Sequence, residues 1–430
     1  MDILVIGSGG REHAICNSFS KSARADKIFC APGNAGIASI AECIPIKAED
    51  ISSLADFAVS QSIDLTFVGG ETSLALGIVD DFERRGLKIV GPSEAAARLE
   101  ASKAFAKDFM ARQGIPTAVY RSASSAQEAI EILEAGEFGD EERAVVVKAD
   151  GLAAGKGVVV ARDRTEAIDA ARSMATLVGS DAAAAIVLEE CLVGREVSLL
   201  SFCDGKSFKL MPPTRDHKRI GEGDTGPNTG GMGTITDASL LTDEQAAEIV
   251  ETVIKPTLHG CADEGFPFRG ILFLGLMMTA DGPKILEYNV RFGDPETQSI
   301  LVRLDTDLVD ICEAMLSGSL DQIEIKWRPG SSATVVLAAK DYPQVPQKGD
   351  VISGLEESSN AYGVTVFHAG TATSAAGEYT TAGGRVLGVT AVAENLQAAL
   401  SKAYSAVELI SWDGMQYRRD IGRRALVAKS

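Results

Sequence analysis

Hydrophobic and polar positions alternate along the N-terminal part of the chain in short runs that predict strands and helices in turn. The apolar runs that predict strands lie at 2–6, 28–30, 44–46, 65–68 and 87–90. Helical patterns fill the intervals, notably at 52–61 and 74–85, and a helix capped by Ser93 is predicted to run to about Arg112. Strands separated by helices favour a doubly wound parallel sheet.

After residue 116 the pattern predicts a small α+β unit, and the end of the chain is rich in predicted strands. A long glycine-rich segment, 212–233, follows two long predicted strands at 196–203 and 207–211 and precedes one predicted helix at 243–261. Such a segment, dense in polar groups, is more often a functional loop than a connector. The three predicted domains lie at 1–102, 103–325 and 326–430. A mobile lid is predicted within the second domain, at about 116–192.

Charge and composition exclude several classes of protein. Lys plus Arg is 41 and Asp plus Glu is 60, which gives a net charge of −19. A chain this acidic binds nucleic acid or anionic membranes poorly. No apolar run approaches the roughly 20 residues of a spanning helix. The 7 cysteines form no C-x-x-C motif and the histidines number only 4, so we expect a cytoplasmic protein without a zinc centre. We also expect a monomer.

The first glycine cluster, Gly7 to Glu12, follows a predicted strand and opens a predicted helix. This context suits a phosphate at the helix N-terminus. Glu12 takes the place of the third glycine of a dinucleotide fingerprint, and no acid follows the second strand, which ends near Cys30. We therefore expect a mononucleotide-sized phosphate ligand rather than NAD. A tight turn without a ligand is the alternative.

The second glycine cluster surrounds two lysines between two predicted strands. Its spacing from Gly151 to Gly155 is too short for a Walker A loop, and Gly157 replaces the hydroxyl residue that would hold magnesium. Flanked by Lys148 and Lys156, this loop is predicted to fold over a triphosphate as a lid. The alternative is a pair of solvated surface lysines.

An apolar strand at 187–190 ends in two adjacent carboxylates. Glu189 and Glu190 close the strand, and the chain restarts as a strand at Glu196. Carboxylates at a strand edge can accept hydrogen bonds from an adenine amine and from ribose hydroxyls. A solvent-facing acidic pair is the alternative for this segment.

A second predicted strand carries polar residues at every other position. Glu287 and Asn289 project from one face of it, because residues i and i+2 of a strand face the same way. They are hard oxygen ligands of the kind magnesium takes alongside phosphate oxygens and water. Arg291 continues that face and can neutralise a transferring phosphate.

Together these segments resemble the glycinamide ribonucleotide synthetase family of ATP-grasp ligases. The matching strings span the chain in family order: GSGGREHA, APGNAG, SKAFAKDFMARQGIPTA, VVKADGLAAGKGV, DHKR, DTGPNTGGMG, EYNVRFGDPETQ, VFHAGT and GGRVLGVTA. The sequence departs from the family pattern at 68–71, where glycine replaces a common proline, and at 213–215. Neither departure touches the best-supported catalytic positions.

The resemblance implies an α/β multidomain fold and a reaction. The fold comprises a parallel-sheet pre-ATP-grasp domain, an ATP-grasp α+β region with a mobile lid, and a small strand-rich C-terminal domain. The reaction joins glycine to 5-phosphoribosylamine through glycyl phosphate, in purine biosynthesis, with ATP and Mg²⁺ (or Mn²⁺). Positioning and charge neutralisation suffice for such chemistry, without a protein nucleophile.

The resemblance also implies roles for individual residues. Those implied to bind ATP are Lys103, Lys148, Gly155, Lys156, Gly157, Glu189, Glu190, Leu192 and Glu196. Those implied to bind phosphoribosylamine or glycine are Gly9, Gly10, Arg11, Glu12, Asp216, Lys218, Gly230, Gly231 and Asp294. Arg291, Asp294 and Asp216 are the implied catalytic residues, and Glu287 and Asn289 the implied metal ligands.

Three other functions stay open at the level of sequence. A different ATP-grasp enzyme acting on another carboxylate would share the nucleotide residues. A nicotinamide oxidoreductase would use the N-terminal domain, against which the missing acid after Cys30 argues. A catalytically inactive nucleotide-binding regulator is the third alternative, although no predicted metal or phosphate position is degraded.

Overall fold

The N-terminal part of the chain forms the predicted parallel sheet. A computed structural model describes residues 1–153, 157–180, 182–362 and 364–427. The first elements are β1 (Asp2–Gly7), α1 (Gly10–Phe19), β2 (Lys27–Pro32), β3 (Glu42–Cys43), α2 (Ile51–Ser60), β4 (Leu65–Val68), α3 (Glu71–Ala75), α4 (Ile78–Arg84), β5 (Ile89–Val90) and α5 (Glu94–Ala101). The strands are ordered β3-β2-β1-β4-β5, with every neighbouring pair parallel. The central strand β1 is buried along its length, as expected for a sheet covered on both faces.

Two predicted helices are each divided in two. Gly77, at φ 78°, adopts the left-handed conformation and separates α3 from α4 within the predicted helix 74–85. Ser102 is extended and its hydroxyl accepts from the Phe105 N–H, so a new helix begins there inside the predicted helix from Ser93. The strand predicted at 44–46 lies instead at β3, beside β2.

A small antiparallel sheet follows. Its elements, with the helix that precedes it, are α6 (Lys103–Arg112), β6 (Tyr120–Ala123), α7 (Ala126–Glu134), β7 (Val145–Ala149), β8 (Val158–Ala161), α8 (Arg164–Val178) and β9 (Ile186–Glu190). The strand order is β6-β9-β7-β8. Apolar residues of α7 and α8 pack on this sheet in a core of their own, so the segment forms a distinct α+β unit as predicted.

A large antiparallel sheet carries the rest of the chain. Its first part and the helices beside it are β10 (Arg195–Asp204), β11 (Phe208–Leu210), β12 (Thr214–Asp216), β13 (Arg219–Gly221), β14 (Thr225–Asn228), β15 (Gly233–Thr236), α9 (Asp243–Ile249), α10 (Lys255–Asp263), β16 (Arg269–Thr279), β17 (Gly282–Asn289), α11 (Glu296–Leu301) and α12 (Leu308–Ser317). A π-helical turn, Val250–Ile254, joins α9 to α10, inside what the sequence predicts as one helix. The short strands β13 and β14 pair only with each other.

The C-terminal part extends the same sheet. Its elements are β18 (Ser331–Ala338), α13 (Leu355–Tyr362), β19 (Thr365–His368), β20 (Thr371–Thr373), β21 (Tyr379–Thr381), β22 (Arg385–Ala393), α14 (Leu396–Val407) and α15 (Arg423–Val427). The nine-stranded sheet runs β17-β16-β10-β12-β15-β18-β22-β19, with β11 paired to β10. Because β15 pairs with β18, hydrogen bonds of one sheet cross the predicted domain boundary at residue 326.

Aromatic packing joins the N-terminal sheet to the large sheet. Phe292 is fully buried and stacks on Phe67 of β4, with ring centroids 5.8 Å apart. It also meets Phe202 of β10 edge to face at 6.1 Å. Arg291 and Asp294, which flank Phe292 in the sequence, are thereby fixed beside the N-terminal domain. Among the described residues, no helix is both long and apolar enough to cross a membrane.

A buried histidine joins the N-terminal and C-terminal parts of the chain. The ring Nδ1 of His13, on α1, accepts a hydrogen bond of 2.9 Å from the main-chain N–H of His368, on β19. Burial lowers the pKa of His13 to about 3 and that of His368 to about 4. Both rings are therefore neutral in the folded protein at neutral pH.

These pKa values predict a loss of stability in acid. Between pH 6.5 and 4 the unfolded chain takes up protons that buried His13 and His368 do not, so the free energy of unfolding falls as the pH falls. Replacing His13→Gln should reduce that slope by up to about 1.4 kcal/mol per pH unit. Exposed His259→Gln is the matched control and should leave the slope unchanged. Denaturant titrations at several pH values measure both, and equal slopes in the two variants would contradict the prediction.

Candidate active site

A cavity of about 1000 Å³ receives side chains from helices of the N-terminal part, from the small sheet and from both parts of the large sheet. The predicted residues that line it are Arg11, Lys103, Lys148, Gly157, Glu189, Glu190, Leu192, Glu196, Asp216, Lys218, Gly230, Glu287, Asn289, Arg291 and Asp294. Gly155 and Lys156, predicted to close over the nucleotide, lie outside the described residues. Gly9, Gly10, Glu12 and Gly231 are described but do not line the cavity.

Two buried lysines share one carboxylate at the end of β9. The Glu189 side chain is 2% exposed and lies 2.8 Å from the Nζ atoms of both Lys107 and Lys148. Lys148 also donates to the Leu286 carbonyl at 3.0 Å, and burial lowers the pKa of Lys107 to about 8. Each Glu189 oxygen thus lies beside a lysine, but Oε1 accepts no hydrogen bond from the described residues, and the contact of Glu189 with an adenine amine stays a prediction. The ion pair also holds Lys148 beside the cavity.

A second cationic group surrounds Glu287 on β17. Burial opposes ionisation of this carboxyl, but Lys218, Lys148 and Lys103 outweigh burial and lower its pKa to about 2. The Lys218 Nζ lies 3.7 Å from Glu287 Oε1. Positive charge from three directions therefore faces this end of the cavity, where a polyphosphate would find its partners.

Glu287 and Asn289 fit a divalent cation. They line the cavity from one strand, two residues apart, as the sequence predicts. Glu287 is ionised at neutral pH because its pKa is about 2. One carboxylate and one amide oxygen suit Mg²⁺, which completes its shell with phosphate oxygens and water. Among the described residues, no group of three or more His, Cys, Asp or Glu side chains could hold an ion.

Arg291 is held between two carboxylates that the sequence did not single out for the site. Its Nε donates to Glu71 at 3.0 Å and its Nη2 to Glu100 at 2.6 Å. Arg291 lowers the pKa of Glu71 to about 2, whereas burial raises that of Glu100 to about 7. Glu100 also accepts from the Val290 N–H at 2.8 Å. Glu71 follows a glycine pair after a strand, and this pattern could have marked it as a site residue. Glu100 lies in a helix and has no such pattern around it.

Two buried carboxyl groups face the cavity beside Lys218. Burial and the charge of Glu296 raise the pKa of Asp216 well above its usual value, against the effect of Lys218 and Arg385. Burial likewise raises the pKa of Glu296, at the first position of α11. Like charges brought together in this way favour a shared proton or a bound ammonium group between them.

Asp294 connects three parts of the chain. Its carboxylate accepts from the Arg11 N–H at 3.3 Å and from the Gln298 amide at 2.9 Å. Arg385, from β22, lies 3.5 Å from the same carboxylate and donates to the Asp294 carbonyl at 2.7 Å and to the carbonyl of Gly230. The sequence analysis assigned Arg385 no role, although it lies in the GGRVLGVTA string.

Glu12 closes the first glycine turn instead of facing the cavity. It is 2% exposed, and it accepts from the Gly9 N–H at 2.6 Å and from the Arg11 Nε at 2.7 Å. A Cβ at Gly69 would lie 2.1 Å from its Oε1, so the loop after β4 must approach it closely. The carboxylate thus caps the start of α1, and of the predicted residues in this turn only Arg11 lines the cavity.

Three family models match the chain in sequence order. They are the N domain of phosphoribosylglycinamide synthetase at 1–100, its ATP-grasp (A) domain at 101–297 and its C domain at 332–424. The phosphoribosylamine–glycine ligases of Xanthomonas axonopodis pv. citri and Vibrio parahaemolyticus are each 48% identical over 432 residues. These alignments cover 99% of this chain and 98% and 99% of the two relatives.

The chain belongs to the phosphoribosylglycinamide synthetase family. The crystal structure of phosphoribosylamine–glycine ligase from Thermotoga maritima is 34% identical, with a TM-score of 0.85 over 98% of this chain and 100% of that one. A biotin carboxylase from Campylobacter jejuni shares the fold alone, at 16% identity and a TM-score of 0.71 over 97% of this chain and 92% of that one. The family's three-part fold, as predicted from the sequence, is confirmed.

Membership of the phosphoribosylglycinamide synthetase family gives a context for the lysine pair. Both Lys107 and Lys148, with Glu189, lie within the ATP-grasp domain of the family. The Val145–Ala149 strand and the Ile186–Glu190 strand pair directly, which brings Lys148 and Glu189 together, and Lys107 reaches Glu189 from α6. All three side chains therefore lie inside the ATP-grasp domain.

Replacing Glu189→Gln should weaken nucleotide binding. It leaves two buried lysines with one neutral partner, which should cost about 3–5 kcal/mol of stability and lower the affinity for ATP at least about tenfold. Glu190→Gln is the comparison, because that side chain is less buried and its ion pairs are 3.6 and 4.0 Å long. It should lower the affinity less than about threefold. Calorimetric titration with ATP measures both, and equal losses would argue against the role of Glu189.

Proposed function

We propose that this chain is an ATP-dependent ligase that joins glycine to 5-phosphoribosylamine in purine biosynthesis. The products are glycinamide ribonucleotide, ADP and phosphate. The full-length match to phosphoribosylamine–glycine ligases carries this assignment, since it covers 99% of the chain. The cavity agrees with it, because cations, a metal-binding face and paired acids converge there. A nicotinamide oxidoreductase and a different carboxylate ligase have no comparable support.

We infer that the phosphates of the bound nucleotide lie toward Lys103 and Lys148. Leu192 and Glu196 also line the cavity and are proposed to contact adenine and ribose. Glu287 and Asn289 would hold Mg²⁺ (or Mn²⁺), which when bound supplies positive charge to the phosphate oxygens. The predicted lid, to which Gly157 belongs, is proposed to exclude water from the phosphates.

In the first step, the glycine carboxylate attacks the γ-phosphorus and ADP leaves. A phosphorus–oxygen bond to glycine forms while the bond to the β-phosphate oxygen breaks, giving glycyl phosphate. Arg291 is placed to neutralise the transferring phosphoryl group, and Glu71 and Glu100 hold its guanidinium in position. No protein nucleophile is required, and positioning supplies much of the rate.

The glycine amine is proposed to lie as an ammonium group beside Asp216 and Glu296. The raised pKa values of both carboxyl groups support this proposal, because a cation between them would favour their ionised forms. Asp294 and Arg11, with the glycine turn at Gly9 and Gly10, are proposed to hold the ribosylamine. These groups bring the two substrates to the junction of the N-terminal domain and the large sheet.

In the second step, the ribosylamine nitrogen attacks the acyl carbon of glycyl phosphate. The carbon–nitrogen bond forms as the carbon–oxygen bond to phosphate breaks, and the released phosphate takes up the proton that the nitrogen loses. Burial opposes ionisation of Asp294, but Arg385 and Arg11 keep its pKa low. Asp294 is therefore an ionised acceptor for a hydrogen bond from the attacking amine.

The activity is tested by ADP release from MgATP. The chain is supplied with glycine and freshly generated phosphoribosylamine, and each is then omitted in turn. Release that needs both, together with a glycinamide product, supports the ligase. Release that needs bicarbonate or another carboxylate would retain the ATP-grasp chemistry and overturn the substrates.

Replacing Glu287→Gln or Asn289→Ala should abolish turnover while the fold stays intact. Each variant loses one of the two oxygen ligands proposed for the metal, so turnover should fall at least about a hundredfold. Exposed Glu251→Gln is a control that should keep normal turnover. Circular dichroism checks the fold, and unchanged activity in either ligand variant would refute the metal assignment.

A further inference from the structure

The substrate loop, defined as residues 216–233, is attached to the far end of the chain. It carries Asp216, Lys218 and Gly230 into the cavity, and its central hairpin of β13 and β14 pairs with no other strand. Most of that hairpin is exposed or half-buried. The loop must therefore be held in place by side-chain contacts and by the segment that packs on it.

One buried arginine makes most of that attachment. Arg418 is 1% exposed and donates to both oxygens of Asp420, at 2.7 and 2.8 Å. Its Nη1 donates to Asp224 Oδ1 at 2.8 Å and to the Arg219 carbonyl at 3.1 Å. A single guanidinium thus connects the C-terminal segment to β13, at Arg219, and to the turn before β14, at Asp224. A planar guanidinium is suited to such a fork.

Reciprocal contacts run from the C-terminal segment to the loop main chain. Asp420 Oδ2 accepts from the Gly223 N–H at 2.8 Å. In the other direction, Glu222 accepts from the Arg419 N–H at 3.3 Å. Burial opposes ionisation of Asp420, but Arg418 lowers its pKa to about 2. The attachment is therefore charged at neutral pH, and its members depend on one another.

His217 makes the second attachment, between two of the cavity residues. Its Nδ1 lies 3.0 Å from the Gly233 carbonyl, and its Nε2 accepts from the Gly422 N–H at 3.0 Å. A carbonyl can only accept, so Nδ1 carries the hydrogen and the ring is the neutral Nδ1–H tautomer. Burial lowers the pKa of His217 to about 4, in agreement. The ring therefore fixes the main chain at residue 217, between Asp216 and Lys218.

We propose that residues 418–422, termed the clasp, position the substrate loop for glycine binding and that Arg418 and His217 are positioning residues. This inference rests on the proposed function. Neither side chain needs to touch glycine, because each acts through the main chain next to Asp216 and Lys218. The C-terminal end of the chain is thereby part of the substrate site, although contacts such as that of His217 with Gly422 join residues 205 positions apart.

Arg418→Gln tests the clasp, with Arg419→Gln as the matched control. Arg419 is the adjacent arginine, and its side chain lies over the Tyr417 ring rather than on the loop. Arg418→Gln should raise the KM for glycine at least about tenfold and change that for ATP less than about twofold. Arg419→Gln should keep both values. A merely structural role would lower the active fraction and leave each KM unchanged.

Hydrogen exchange supplies a readout that needs no turnover. In Arg418→Gln the amides of residues 219–231 should exchange at least about tenfold faster than in the unsubstituted chain, while those of β10 and β16 are unchanged. If Arg418→Gln does not fold, Arg418→Lys carries the same test, since it keeps the charge but not the fork. Its expected change is at least about threefold in the KM for glycine.

The outcomes separate this inference from the proposed function. Unchanged glycine KM in the folded Arg418 variant overturns the clasp, whether or not loop exchange is faster. Faster loop exchange together with a raised glycine KM supports it. If the unsubstituted chain shows no glycine-dependent turnover, the proposed function fails. Faster exchange would then still support the clasp as the element that holds Asp216 and Lys218.

Discussion

The lysine and arginine side chains inside the cavity form ion pairs with buried carboxylates, and the rest of the site depends on these ion pairs. Removing a lysine or arginine from water is costly unless an ionised partner meets it. Lys148 is held by Glu189, and Arg291 by Glu71 and Glu100. These acids keep the cations extended and in place before any phosphate arrives. A chain with a net charge of −19 can thus present fixed lysine and arginine side chains to an anionic ligand.

The same ion pairs also fix how the parts of the chain meet. Arg291 reaches Glu71 across 220 positions of sequence, and Asp294 reaches the Arg11 N–H across 283. Phe292, between these two, stacks on Phe67 of the N-terminal sheet. Apolar contact sets the distance between the two parts, and the flanking charges set the orientation. The residues proposed to act on the substrates, among them Arg291 and Asp294, lie at this junction.

Much of the architecture could be predicted because its signals are local. Apolar runs located β1, β4 and β9 to within a residue, and the glycine turn after β1 marked the start of α1. Period-two spacing placed Glu287 and Asn289 on one face. The helix breaks were missed because Gly77 and Ser102 each interrupt a pattern that continues on both sides.

The sequence by itself determined the order of the elements, the family and the residue types that carry the chemistry, because these depend on neighbours in the chain. Only the tertiary structure decided which acid holds which cation. Glu100, Arg385 and Arg418 have ordinary local surroundings, and each has a partner 91 to 194 positions away. The ion pairs of Glu189 with two lysines likewise leave no signal in the sequence around Glu189. Such pairings are set by desolvation in the folded interior, which no local pattern encodes.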